Sequence, residues 1–283
     1  MSRTFTLLAV TALAAISLVL MLGLVATGGT AARAGASPPA ANQSISGPPG
    51  RPAVITPEDP YCYAWDLSNT TGADVDGLTM RLQGNHTVSA VYTETLNPFF
   101  EFSSGYEPGI DSYRLVFTDG LAYDSDLVHV GLCTDLSYAR LSTAPNALDW
   151  TQGISTVQPA PLAAGIELSW LSTDQLAVNL VNEQAVTVTL ESFVLLDAEV
   201  ALPLDDLIGD IAATLPLAGE AITEPIVLAP NAAYSVTFDG LLRGHGYVVD
   251  ARLSAEDDPF TNVHVLAQTA LPPYRTYLPV LSK

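Results

Sequence analysis

The sequence predicts an all-β, exported protein built from two immunoglobulin-like β-sandwich domains, the second carrying one short amphipathic helix. Three observations predict it. Short runs rich in β-branched and aromatic residues recur along the chain, each closed by Gly, Asp, Asn or Pro. The amino terminus reads as an export segment, and the only two cysteines, Cys62 and Cys133, fall within one group of these runs.

Residues 1–36 start with Arg3, continue through an uncharged apolar run and end in the small-residue patterns Ala32-Arg33-Ala34 and Ala34-Gly35-Ala36, which a signal peptidase reads. This is expected to be a signal peptide. The run from Phe5 to Val25 is also long enough to cross a hydrocarbon core of roughly 30 Å, so an uncleaved N-terminal anchor is the alternative. Either outcome places the body of the protein outside the cytoplasm, in the extracellular space or at the cell surface. Residues 37–60 contain seven prolines and almost no large apolar side chain, and read as an extended linker.

The first expected sandwich spans 61–150. Its strands are YCYAWDLSN from Tyr61, LTMRLQG from Leu78, HTVSAVYTET from His86, SYRLVFTDG from Ser112, LVHVGLCTD from Leu127 and the shorter SYARLST from Ser137. Val88, Ala90 and Tyr92 fall on one side of their strand and Thr87, Ser89 and Val91 on the other, an alternation that supports a sandwich strand. A weaker boundary at 151–164 carries two prolines and no large aromatic residue. The second expected sandwich, 165–272, takes IELSWLS, LAVNLVNE, AVTVTLESFVLLDA, PIVL, YSVTFDG, GYVVDARLSA and NVHVLAQTAL as strands. Between them PLDDLIGDIAATLP places Leu204, Leu207, Ile208, Ile211 and Leu215 on one helical face and prolines at both ends, which predicts a helix covering a sheet. A single larger sandwich is the alternative to two domains, because all-β folds often exceed ~200 residues as one unit.

Chemistry-bearing residues are sparse. Cys62 and Cys133 are expected to form a disulfide, with two buried free thiols as the alternative; no CxxC or paired-His spacing points to zinc. The G-x-S-x-G elbow of many hydrolases is absent, and His86, His129, His245 and His264 show no H-x-x-x-H spacing. His129 and His264 each stand mid-strand between valines and read as structural, while His245 sits on a Gly-flanked turn. No cofactor is expected. Calcium is the cation that the loop acids would take, with Asp119, Asp124 and Asp126 the candidate ligands; the competing reading is that these aspartates stabilise turns through their own backbone. Thirteen of the 22 aromatic residues fall between Tyr61 and Trp150, and Tyr61, Tyr63 and Trp65 share one strand face as a candidate sugar-stacking platform. Core packing is the competing reading.

The formal charge is −20, and removal of residues 1–36 with Arg3 and Arg33 takes it to −22. With no basic cluster, nucleic acid is excluded as a partner, and no membrane span is expected unless the N-terminal segment is retained. Surface polysaccharide or another protein remains as partner. Residues 273–283 form a C-terminal tail, and its Tyr274-Arg-Thr-Tyr-Leu-Pro-Val-Leu-Ser-Lys283 resembles the Tyr-Leu-Pro-Val/Leu ending of otherwise unrelated secreted bacterial proteins. The tail likeness implies a bacterial secreted or envelope protein, with a final β-strand completing the second sandwich as the alternative; Leu96-Asn97-Pro98-Phe99 and Val128-His129-Val130-Gly131 look like stretches of uncharacterised exported bacterial β-proteins, a resemblance that implies no activity. The sequence therefore points to an exported non-enzymatic protein with a structural, adhesive or interaction role at the cell surface. A carbohydrate-binding module, or a hydrolase whose carboxylates meet only in three dimensions, are the alternatives.

Overall fold

Residues 61–68, rich in apolar and aromatic side chains and closed by Asn69 and a turn, form the strand around which the fold is organised. The computed structural model describes residues 61–94, 96–144, 146–255 and 258–270; the expected export segment, linker and tail lie outside them. Among the described residues no helix is long and apolar enough to cross a membrane.

The strands in chain order are β1 (Tyr61–Ser68), β2 (Gly77–Gln83), β3 (Val88–Val91), β4 (Phe99–Glu107), β5 (Ser112–Gly120), β6 (Leu127–Thr134), β7 (Tyr138–Ala139), β8 (Leu148–Gln152) and β9 (Ser155–Val157). They continue as β10 (Gly165–Trp170), β11 (Leu176–Val181), β12 (Val188–Asp197), β13 (Leu217–Glu220), β14 (Ile226–Leu228), β15 (Ala233–Phe238), β16 (Gly246–Ala255) and β17 (Asp258–Ala270). Three antiparallel sheets result. Sheet 1 runs β13-β12-β16-β17-β1-β6-β3, with β14 also on β12; sheet 2 runs β15-β11-β10-β7; sheet 3 runs β4-β5-β2-β8-β9.

The fold is all-β, as expected, but its strands do not divide into two separate sandwiches. β1, from the first expected unit, is hydrogen-bonded to β6 on one side and to β17, from the second, on the other. One hydrophobic cluster takes Tyr63, Trp65, Val130 and Val265 from sheet 1, Leu168, Val178 and Phe238 from sheet 2, and Met80, Phe117 and Trp150 from sheet 3. The expected boundary at 151–164 thus joins strands that share a core. The physical reason is β1 itself: it is buried, so the backbone N–H and C=O groups along both its edges need partners, and β6 supplies one set while β17, from the far end of the chain, supplies the other.

Alternation on sheet 1 defines two faces. Tyr63, Trp65 and Leu67 face the main core with Leu132, Val130 and Val128 opposite them on β6. Cys62, Ala64 and Asp66 face the other way, opposite Cys133, Gly131 and His129. The outer face holds a second apolar cluster of Cys62, Ala64, Cys133, Val248 and Leu266 with Leu204, Leu207 and Ile211 laid on it. The segment Leu204–Leu215 that carries these last three is not the expected helix. It makes two three-residue 3-10 turns, Leu204–Asp206 and Ile211–Ala213, separated by Gly209 at φ +67°. A glycine in the left-handed region interrupts the α-helical hydrogen-bond ladder, and a stretch of this length has little helical stability of its own. The burial pattern survives, since Leu204, Leu207 and Ile211 are buried as one apolar face would be.

The cover is pinned to the sheet. Gln268, fully buried on the outer face, accepts a hydrogen bond from the Leu202 amide at 2.7 Å and donates one to the Leu202 carbonyl at 3.0 Å. Gly131 leaves the room for Leu204: a Cβ there would stand 3.2 Å from Leu204 Cδ1.

Candidate functional site

Two places concentrate chemistry or unsatisfied surface: a charged rung across the outer face of sheet 1, and the loop end of the sheets beyond Ser68.

The rung is set by strand register. Arg252 on β16 lies opposite His264 on β17, His264 opposite Asp66 on β1, and Asp66 opposite His129 on β6. Directly paired residues point to the same face, so the two valine-flanked histidines converge on Asp66, which Trp65 and Leu67 flank. His129 Nδ1 lies 2.6 Å from Asp66 Oδ1, His264 Nδ1 lies 2.8 Å from Asp66 Oδ2, and His264 Nε2 lies 2.9 Å from Asp250 Oδ1. Arg252 closes the row, donating to Asp210 at 2.8 Å and lying 3.5 Å from Asp250. Asp66, His129 and Asp250 are buried.

Carboxylate oxygens only accept, so both ring nitrogens of His264 carry protons and the ring is an imidazolium. Burial alone would lower its pKa; the hydrogen bonds and charges of Asp250 and Asp66 outweigh it and raise the pKa to about 9. Burial would raise the Asp66 pKa, but hydrogen bonds from His129 and His264 hold it down at about 2. Tyr92 stands edge-on over His129, ring centroids 4.5 Å apart, and burial followed by nearby acids pushes its hydroxyl up to about 12. Among the described residues, His129 Nε2 and Asp250 Oδ2 are buried without a hydrogen-bond partner. The rung can store and hold charge. Its hydrogen bonds link carboxylates, imidazoles and a guanidinium, with no serine, threonine or cysteine nucleophile among them.

At the loop end, Asn69 is buried and fastens three segments. Its side-chain amide donates to the carbonyls of Ala73, Ala122 and Tyr123, and its oxygen accepts from Thr71. Val75 and Ala122 exchange backbone hydrogen bonds, and Asp76 accepts from the Gly153 amide at the β8–β9 hairpin. The Leu96 carbonyl accepts from the His129 amide, and Gly120 abuts the backbone of Pro98 and Phe99. These bonds bring Leu96, Phe100, Leu121, Tyr123, Leu127 and Ile154 to one end of the molecule. All six are exposed, Phe100 at 81%, Tyr123 at 58% and Ile154 at 105% of the reference area, so none serves the core.

The expected calcium ligands belong to this end and act on backbone. Asp124 accepts from the Gly72 amide at 3.0 Å and Asp126 from the Tyr123 amide at 2.8 Å, while Asp119 turns the end of β5 at φ +59°. Among the described residues no group of three or more His, Cys, Asp or Glu side chains has metal-holding geometry.

The aromatic platform is corrected: Tyr63 and Trp65 are buried in the main core, the Tyr63 hydroxyl donating to the Leu136 carbonyl and Trp65 Nε1 to the Ala164 carbonyl. Tyr61, half-buried, packs against the same cluster. Since β1 has no solvent face, its aromatic alternation marks the inter-sheet side. The expected disulfide is present: Cys62 and Cys133 are directly opposed across β1 and β6, Cα atoms 4.0 Å apart. His245, on the turn before β16, pairs with Asp197 at 2.8 Å and stacks on Tyr247.

Sequence reasoning missed the rung. Its only signal was that Asp66, His129 and His264 each interrupt an otherwise apolar strand. No protein-family model and no curated protein matches the sequence.

Proposed function

We propose that the protein is an exported, non-enzymatic β-sandwich protein that works by binding, as an adhesive or interaction module at a cell surface. The observation that carries this reading is the set of six exposed large apolar side chains gathered by loop hydrogen bonds at one end of the sheets. Folded chains rarely leave so many unburied together unless something covers them. The chain enters β1 at Tyr61, and this end lies beyond Ser68 at the other end of the same strand. The export segment, the Pro-rich linker and the resemblance of the tail to secreted bacterial proteins support an address outside the cytoplasm. The disulfide fits an oxidising compartment.

The histidines support binding over catalysis. His129 and His264 are held by Asp66 and Asp250, His245 by Asp197, and His86 lies between Thr134 and the Gln83 carbonyl. Each is engaged with a neighbour, and the one hydroxyl among these partners, that of Thr134 beside His86, is fully buried. The test is a screen of the purified protein against glycosidase, esterase and peptidase substrates. Background rates are expected, and robust turnover abolished by Asp66→Asn would replace the binding reading with an enzymatic one.

A further inference from the structure

Among the described residues, the apolar end is surrounded by acid and by no base. Asp74, Asp76, Asp119, Asp124 and Asp126 stand in the loops that display it, and Glu101 is exposed on β4 beside Phe100. The described arginines lie elsewhere: Arg81 pairs with Glu107, Arg140 with Glu183, Arg252 with Asp210, Arg114 faces Gly105 on β4, and Arg243 sits on the turn before β16. The acids are not spare charge for turns alone, because five carboxylates within these short loops repel one another and any approaching anion.

We propose that this end is a docking surface for a cationic polypeptide segment carrying apolar side chains. The proposal deepens the binding reading and rests on it. Charge selects the occupant. A second copy would bring the same acids, in a chain with 30 acidic against 10 basic residues, so self-association through this end is repulsive. Nucleic acid and anionic lipid are repelled for the same reason. A basic segment gains long-range attraction from the rim, and its apolar side chains cover Phe100, Tyr123 and Ile154. β4 offers a route for an extended segment: it is the outer strand of sheet 3, paired to β5 along one edge.

The test uses the full chain and fluorescently labelled synthetic peptides: one alternating Lys and Leu, one alternating Glu and Leu, and one alternating Lys and Ser, read by anisotropy at low and high salt. The Lys-Leu peptide is expected to bind, to weaken with salt, and to lose affinity about tenfold or more with Phe100→Ser combined with Ile154→Ser, as hot-spot truncation does. Both side chains are solvent-exposed, so the double variant is expected to keep the parent urea midpoint, measured alongside. Equal binding of the Lys-Ser peptide, or binding unchanged in the double variant, would reduce the effect to attraction by net charge and overturn the proposal. So would binding of dextran at this end in place of the cationic peptide. Failure here leaves the non-enzymatic reading standing, whereas turnover in the substrate screen would overturn that reading and leave the peptide result untouched.

Discussion

Raising the pH from 6 to 10 should unlock the charged rung. His264 has its pKa raised from 6.5 to about 9 by Asp250 and Asp66, so its contribution is fully present below about pH 6.5 and is lost as pH rises through about 9. Asp66, lowered from 3.8 to about 2, contributes stability above about pH 4 that is lost as pH falls through about 2. The rung is therefore most stabilising between about pH 4 and 6.5. At about 1.36 kcal/mol per tenfold change in proton affinity, deprotonating His264 removes on the order of 3 kcal/mol. Its side chain is only 12% exposed, so solvent screening discounts little of this. The groups that face it are Asp66, Asp250 and, across the rung, Arg252 and His129, with Asp210 reaching Arg252 from the cover. The assay is urea unfolding with the disulfide intact, at steps from pH 5 to pH 10. Parent protein should lose most of that energy between about pH 6.5 and pH 9, while His264→Gln should start lower and show a much flatter profile. Self-repulsion of an acidic chain affects both proteins alike, so the difference between the two curves isolates the rung. Parallel profiles would refute the assignment of His264 as an imidazolium.

Four further outcomes are expected. Replacing Cys62 and Cys133 by alanine should cost about 4 kcal/mol in the chain-entropy account, given their separation of 71 residues, with non-reducing peptide mapping confirming the bond in the parent. Gly165→Ala should destabilise by about 1–3 kcal/mol, because a Cβ there would overlap the Glu183 carboxylate that receives Arg140 and the Leu141 amide; urea midpoints of Gly165→Ala in a Glu183→Ala background, where the overlapping atoms are gone, show whether the clash is the cause. Trp65→Ala should cost about 3–5 kcal/mol as a core cavity, whereas a sugar-stacking role would lower ligand binding with little change in midpoint. The melting temperature should be equal in chelator and in millimolar calcium, since Asp124 and Asp126 already hold loop amides; a rise with calcium would show that the cation binds the folded state.

Strand content was legible where side-chain periodicity or β-branched runs are strong. Val188–Asp197, Gly246–Ala255 and Leu127–Thr134 all fall inside the runs that the sequence marks. β4 was not legible, because FFEFSSGYE mixes glutamate, serine and glycine with aromatic residues, and an outer strand needs only partial burial. β8 and β9 are too short to show a period. The disulfide was readable because a chain expected to be exported and carrying two cysteines has one intramolecular pairing. The rung was not, because it depends on which residue of β17 meets Asp66, and a shift of one position would turn His264 to the other face. The same ignorance of long-range pairing produced the two-domain expectation: composition around 151–164 resembles a linker, yet β17 returns to complete the sheet begun by β1.

Why the charges sit where they do follows from how the outer face of sheet 1 is closed. Moving along β1 on that face, Cys62 and Ala64 lie under the apolar residues of the 3-10 cover, and Asp66 comes next. Ile211 is the last buried apolar residue of the second turn, and Asp210 beside it reaches Arg252. Past that point Tyr92 roofs His129, while the Arg252 end of the row opens to solvent. A lone aspartate there would be an uncompensated buried charge, so it persists only with hydrogen-bond donors on both sides and a cation among them. His264 supplies one, and it in turn requires Asp250. On this account Asp66→Asn alone should be worse than Asp66→Asn with His264→Gln, because the single change leaves an imidazolium short of one partner. Urea unfolding at pH 6 gives the comparison. A double variant less stable than the single by the full cost of His264→Gln would mean that the two residues act independently and that the rung is no unit.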